Sequence, residues 1–224
     1  MPRRRSYDHY CAAARALDAV GDRWTLLIVR ELLAGPRRYT DLHADLPGIS
    51  TDVLASRLKD MEREDLAQRH RLPPPAASFV YELTPRGRQL QPVLAALAEW
   101  GAPALAEPQP TDAVRAHWHA LPLLGPLAEA AGGLAGVVDV VLDTGTFHLR
   151  TGGGFPVYGD GPAEEADARA VLQADACDAL LAGRLSFAEG VRSGRVRVEG
   201  GSELAGRLRG AGTAPASRQG GHDA

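Results

Sequence analysis

The chain has 224 residues, 45% of them apolar and 24% charged, which is ordinary globular chemistry with room for two domains of about 100 residues each. Its net charge of −3 divides unevenly, +2 over residues 1–106 and −5 over residues 107–224; a mildly basic first half permits nucleic-acid contact without demonstrating it. No apolar run nears the roughly 20 residues of a membrane span and no leader opens the chain, while Cys11 and Cys177 lack metal-ligand spacing, so the expectation is a soluble cytoplasmic protein in a reducing compartment, without metal, cofactor or membrane partner.

Residues 2–5, PRRR, precede any apolar periodicity and read either as a basic arm for phosphates or a minor groove, or as a solubilising terminus. A helix is predicted over Tyr10–Val20 and is broken by Gly21. Asp22 caps the next, DRWTLLIVRELLAG, which stops at Gly35-Pro36. Tyr39–Leu46 is a short third helix closed by Pro47-Gly48. The fourth, ISTDVLASRLKDMERED, spans Ile49–Asp65. Its Leu54, Leu58 and Met61 fall at i, i+4 and i+7 and form one apolar stripe. The opposite face carries Asp52, Ser56, Lys59 and Arg63, and Ser50 or Thr51 stands at the N-cap. Two short helices around a tight turn outline a helix-turn-helix.

Leu66–Leu72 and Ser78–Leu83 are β-favourable runs separated by three prolines and two alanines, so they make the two strands of a wing. Thr84 and Pro85 open a longer helix running through Leu90, Val93, Leu94, Leu97 and Trp100 to about Ala106. This helix and the first expose more apolar side chain than a three-helix core covers, which predicts a two-fold dimer. Arg37 and Arg38, after Gly35-Pro36, are candidate phosphate anchors or a solvated turn.

Several segments in order resemble the HxlR-type family of bacterial transcriptional regulators: CAAARALDAVGDRWTLLIVRELLAGPRRYTDL, then LPGIS, RLKDME, a wing ending YELTPRGRQL, and LAALAEWG, over about residues 7–106. The resemblance implies a winged-helix repressor or activator that binds double-stranded DNA as a homodimer. On that footing Thr51, Asp52, Ser56 and Lys59 face the groove and Arg57 and Arg63 contact phosphates, as do Arg37 and Arg38. Asp52 equally suits the positive end of its helix. In the wing, Arg69 and Arg71 share one face and His70 points the other way. The resemblance also places Cys11 where some relatives carry an oxidant-sensing thiol. A small thiol is as readily a packing residue.

Residues 107–111 form a short linker. Beyond it Thr111–Ala131 is helical in character, broken or bent at Pro122 and Pro126. GVVDVVLD, TFHLRT and FPVYGD are strand-like, with a hairpin turn at Asp143–Thr146 and a sheet bend at Gly152–Gly154. ARAVLQAD (strand), ACDALLAG and LSFAEGVRSG (helices), RVRVEGG (strand) and SELAGRLRG (helix) follow. The tail, residues 211–224, is disordered by composition. His117 and His119 at i, i+2 leave different sides of a helix and make no metal pair. No nucleophile has an adjacent base, so the chain is not expected to be an enzyme.

DACDALLAGRLSFAEGVRSGRVRVEGGSELAGRL resembles the C-terminal part of the sterol-carrier-protein-like fold, and the resemblance covers about residues 115–209. It implies an α+β domain over 112–210 that binds an apolar ligand, with Trp118, Phe147, Phe155, Tyr158 and Phe187 as candidate wall residues or plain core. The expected fold is therefore α+β: a winged helix-turn-helix over 1–106, then the sterol-carrier-like domain. The leading expectation is a homodimeric DNA-binding regulator, a repressor at a palindromic operator, modulated by a small apolar ligand. The alternatives are a thiol-based regulator using Cys11 and a lipid carrier.

Overall fold

Glycines cut the first half of the chain into short helices. In the computed structural model, which describes residues 6–106 and 109–210, α1 (Ala12–Val20) ends as the Gly21 N–H donates to the Leu17 carbonyl at 2.8 Å. The basic arm expected at residues 2–5, part of the linker and the tail from 211 lie outside the described residues. α1 starts two residues later than its periodicity suggests, which leaves Tyr10 fully exposed and Cys11 at the N-cap. α2 (Thr25–Leu33) buries Ile28, Val29, Leu32 and Leu33 completely. Burial of such side chains contributes about 1.5–3 kcal/mol each. Glu31 is buried as well, and its carboxylate accepts from Arg30 Nε at 2.7 Å.

α3 (Tyr39–Asp45) and α4 (Thr51–Arg63) flank the Pro-Gly turn. Gly48 there has a φ of +88°, a conformation that a side chain would strain. β1 (Ala67–Arg71) and β2 (Phe79–Leu83) pair antiparallel, with Arg69 opposite Tyr81 and Arg71 opposite Phe79. Arg37 adds a third segment by exchanging backbone hydrogen bonds with Tyr81 at 2.8 and 2.9 Å.

The single long helix expected from Pro85 to Ala106 is divided. α5 (Pro85–Arg88) is one turn, α6 (Gln91–Gly101) follows, and a 3-10 segment covers Ala102–Ala106. Pro92 explains the break: it has no N–H to bond back to Arg88, so it serves as the start of a new helix. Thr84 caps α5 as expected, its Oγ1 accepting from Gly87 N at 3.1 Å.

The chain separates into two units. The first takes in residues up to Ala113 together with Phe155–Tyr158; the second holds Val114–Gly154 and the residues from Gly159. The second begins with a 3-10 turn (Ala116–His119) and α7 (Ala120–Ala131), so the helical character expected from Thr111 starts later. α7 runs through both prolines. Pro122 lies in the first turn, where its missing N–H costs nothing, and Pro126 is carried inside a helix whose Leu121, Leu123 and Leu127 are buried.

Five strands follow: β3 (Gly136–Leu142), β4 (Gly145–Thr151), β5 (Tyr158–Asp160), β6 (Ala168–Leu172) and β7 (Val196–Glu199), in the sheet order β5-β4-β3-β6-β7. β3 and β4 form the expected hairpin, β6 lies parallel to β3, and β7 is antiparallel to β6. Val138, Val140 and Leu142 bury one face with Phe147, Leu149, Ala168 and Ala170. Of the expected strand FPVYGD only Tyr158–Asp160 joins the sheet; Pro156 has no N–H to give a ladder. α8 (Ala174–Leu181), α9 (Phe187–Arg192) and α10 (Glu203–Gly210) complete the unit. Among the described residues no helix is long and apolar enough to cross a membrane.

Gly87 is the tightest position in the first unit, since a Cβ there would stand 2.0 Å from the Leu66 carbonyl oxygen. Gly87→Ala is expected to destabilise that unit by about 1–3 kcal/mol, read as an earlier urea unfolding transition by circular dichroism.

Candidate nucleic-acid interface

α4 is held on three sides. Ser50 Oγ accepts from Val53 N at 3.3 Å, Leu54, Leu58 and Met61 are buried, and the Tyr39 hydroxyl donates to the Thr51 carbonyl at 2.8 Å. That hydroxyl fastens α3 to α4 beyond their turn, and the Tyr39 ring stacks on His43 within α3. Thr51, Asp52, Ser56, Lys59 and Arg63 are exposed on the outer face of α4. The polar side chains expected to face a groove therefore do share one surface.

The arginines are more constrained than their spacing suggests. Arg57 lies 3.6 Å from Asp22 and 2.9 Å from Asp60 through its two terminal nitrogens. Arg63 donates to the other oxygen of Asp60 at 2.6 Å and lies 3.8 Å from Glu64. Arg37, at the base of the wing, is 4.0 Å from Asp45 and mostly buried. Arg38 is exposed at the start of α3, its backbone N–H donating to Asp41 at 3.3 Å. Of the two wing arginines, Arg71 donates to the Ala77 carbonyl at 3.1 Å. Arg69 sits 4.1 Å above the Phe79 ring and 6.0 Å from Tyr81, a cation–π contact that is worth about 0.5–1 kcal/mol at an exposed site. His70 lies on the other side, 3.8 Å from Glu82.

Two participants escaped the sequence reading. Asp22 was legible only as a cap, and the Phe79–Tyr81 platform appears only when β1 and β2 are placed in register.

Apolar side chains also stand exposed elsewhere in the first unit. Tyr10 and Leu17 do so at α1, and Val93, Leu97 and Trp100 on α6, with Trp100 83% exposed.

The HxlR-like helix-turn-helix family model matches residues 19–109. The chain is 37% identical over 86 residues to the uncharacterized HTH-type transcriptional regulator YvaP of Bacillus subtilis, a match covering 38% of this chain and 80% of YvaP. The chain belongs to the HxlR-like helix-turn-helix family. It is also 35% identical over 96 residues to the HTH-type transcriptional regulator YodB of the same organism, covering 43% of this chain and 85% of YodB. The solved reduced form of YodB aligns with 33% identity over 42% of this chain and 92% of YodB, at a TM-score of 0.38. The chain is thus an HxlR-type transcriptional regulator over its first 110 residues or so, in a mixed α+β structure.

The two cysteines of this HxlR-type chain differ sharply. Cys11 is exposed at the N-terminus of α1, and the backbone N–H groups of Ala14 and Ala13 favour its thiolate and lower its pKa. Cys177 is buried in α8, and desolvation pushes its thiol up to about 12.

The five aromatic residues considered for a ligand wall are divided between the two units. Phe147 and Phe187 are buried in the second unit and Trp118 is half-buried there, edge-on to His117. Phe155 and Tyr158 belong to the first unit. There the Arg88 guanidinium lies 3.9 Å from the Phe155 ring, and the buried Tyr158 hydroxyl donates to the Arg30 carbonyl. Among the described residues no group of three His, Cys, Asp or Glu side chains is placed to hold a metal ion.

Native protein treated with iodoacetamide at neutral pH is expected to alkylate at Cys11 and not at Cys177. The Cys11 rate rises with pH through a midpoint below that of an ordinary thiol, because the lowered pKa supplies thiolate earlier. Peptide mass mapping across a pH series checks both.

Proposed function

We propose that this HxlR-type regulator acts in the cytoplasm as a homodimeric repressor, binding a palindromic operator in double-stranded DNA through α4 and the wing of each protomer. The observation that carries the reading is the exposed outer face of α4: Thr51, Asp52, Ser56 and Lys59 stand together there while the inner stripe is buried. Their hydroxyls and the ammonium supply base-edge and phosphate contacts. Arg63, Arg38, Arg69 and Arg71 add phosphate contacts around them, and Arg37 contributes through the base of the wing. The exposed apolar side chains of α1 and α6 supply the dimer contact, which sets half-sites about one helical turn, roughly 34 Å, apart.

The second unit is the sensor in this reading. Its α+β make-up agrees with the sterol-carrier resemblance of residues 115–209, and Trp118, Phe147 and Phe187 are the aromatics it offers to a small apolar ligand. Ligand bound there favours one placement of the paired α4 helices over another. A second reading rests on Cys11, whose exposed, thiolate-prone position suits an oxidant or electrophile sensor.

Binding to a duplex from the gene's own upstream region, against a scrambled duplex over a salt series, tests the regulator reading. Footprinted protection of a two-fold site is expected. Lys59→Ala lowers affinity and cuts the slope of log affinity against log salt by about 0.9. Repeating the titration after diamide treatment separates the two signals: loss of binding that Cys11→Ser prevents supports the thiol switch. Equal weak binding to both duplexes defeats the proposal of an operator in that upstream region and turns attention to the second unit. For the dimer, Leu97→Glu is expected to shift the native mass to that of a single chain by light scattering.

A further inference from the structure

Neither the outer face of α4 nor helix capping accounts for the ion pair between Arg57 and Asp22. At about 100° per residue, Arg57 lies roughly 60° round from the Leu54 stripe, on the flank of α4 and away from the exposed face. Its guanidinium bridges two carboxylates, Asp60 on its own helix at 2.9 Å and Asp22 at 3.6 Å. Asp60 is at the same time held by Arg63 at 2.6 Å, so this end of the bridge is pinned.

The other end is fixed more firmly still. Asp22 Oδ1 accepts from the backbone N–H groups of Trp24 at 2.8 Å and Thr25 at 3.1 Å, and Oδ2 accepts from the Thr25 hydroxyl. Asp22 directly follows Gly21, whose N–H closes α1. The carboxylate therefore moves with the junction of α1 and α2, and Arg57 links that junction by charge to α4.

We propose that Asp22 and Arg57 form a joint that sets the angle of α4 against the α1–α2 junction, and that Arg57 is a positioning residue and not a phosphate ligand. This rests on the DNA-binding reading above. It gives α1, with exposed Leu17 on it and Tyr10 just before it, a direct mechanical connection to the helix that the DNA reading places in the groove. A shift of α1 then alters the approach of α4 without any change in the side chains that touch DNA. Such a joint serves discrimination between sequences, because a tilted helix still meets phosphates but misplaces its short Ser and Thr side chains.

Asp22→Asn isolates the charge, since an amide oxygen still accepts from Trp24 and Thr25. Asp22→Asn, Arg57→Ala and the double variant are titrated with the upstream and the scrambled duplex across a salt series. The expected result is a loss of about fivefold in the ratio of the two affinities for each single variant. The double variant is no worse than either single one, and the salt slope on scrambled DNA is unchanged. If Arg57→Ala reduces that slope by about 0.9 while Asp22→Asn binds like the native protein, Arg57 is a phosphate ligand and the joint is overturned. Loss of the folded circular dichroism signal in Asp22→Asn also overturns it, in favour of a purely structural cap. Native protein that binds both duplexes alike defeats the underlying proposal of an operator in that upstream region, and this inference with it.

Discussion

The outer face of α4 stays polar and exposed only because Leu54, Leu58 and Met61 on its inner face are almost completely buried. A helix of 13 residues is marginal on its own in water, and these three side chains tie it to the unit with about 1.5–3 kcal/mol each, an upper figure for a chain that is never fully extended when unfolded. The Ser50 cap and the Tyr39 hydroxyl then settle its first turn. With the helix fixed from behind and at its start, the side chains in front are free of any part in holding it.

Charge is distributed around that helix so that few cations are left bare. Arg57 and Arg63 are both engaged by Asp60, Arg57 also by Asp22, and Arg37 stands near Asp45. Ion pairs near the surface add little to stability, but they hold long side chains in one orientation. Arg69 is steadied differently, by the faces of Phe79 and Tyr81. A guanidinium that is already oriented loses less freedom on meeting a phosphate or a base edge. The HxlR unit thus offers a small number of well-placed charges, consistent with the modest balance of +2 over residues 1–106.

In the second unit the same economy appears as alternation. Val138, Val140 and Leu142 point to the buried face of the sheet, while Asp139 between them stands opposite His148 on β4 and Arg169 on β6, with Glu199 next in the row on β7. One face is a core, and the other carries this polar row beside the half-buried Val137, Val141 and Val171.

Local order was legible in the sequence because it depends on neighbours a few residues apart. The stripe of α4, the Ser50 and Thr84 caps, the glycine breaks, the hairpin at Asp143–Thr146 and the alternation of β3 all follow from periodicity and turn chemistry. The same spacing singled out the exposed face of α4. What it missed lies across the fold. The division of α5 from α6 at Pro92, the pairing of Arg69 with Phe79 and Tyr81, and the placing of Phe155–Tyr158 with the first unit depend on partners distant in the chain. Arg57 shows the difference most clearly: its residue type and its helix announced a phosphate contact, and only the tertiary structure set it beside Asp22, because a carboxylate 35 positions away along the chain leaves no trace in the periodicity of a helix.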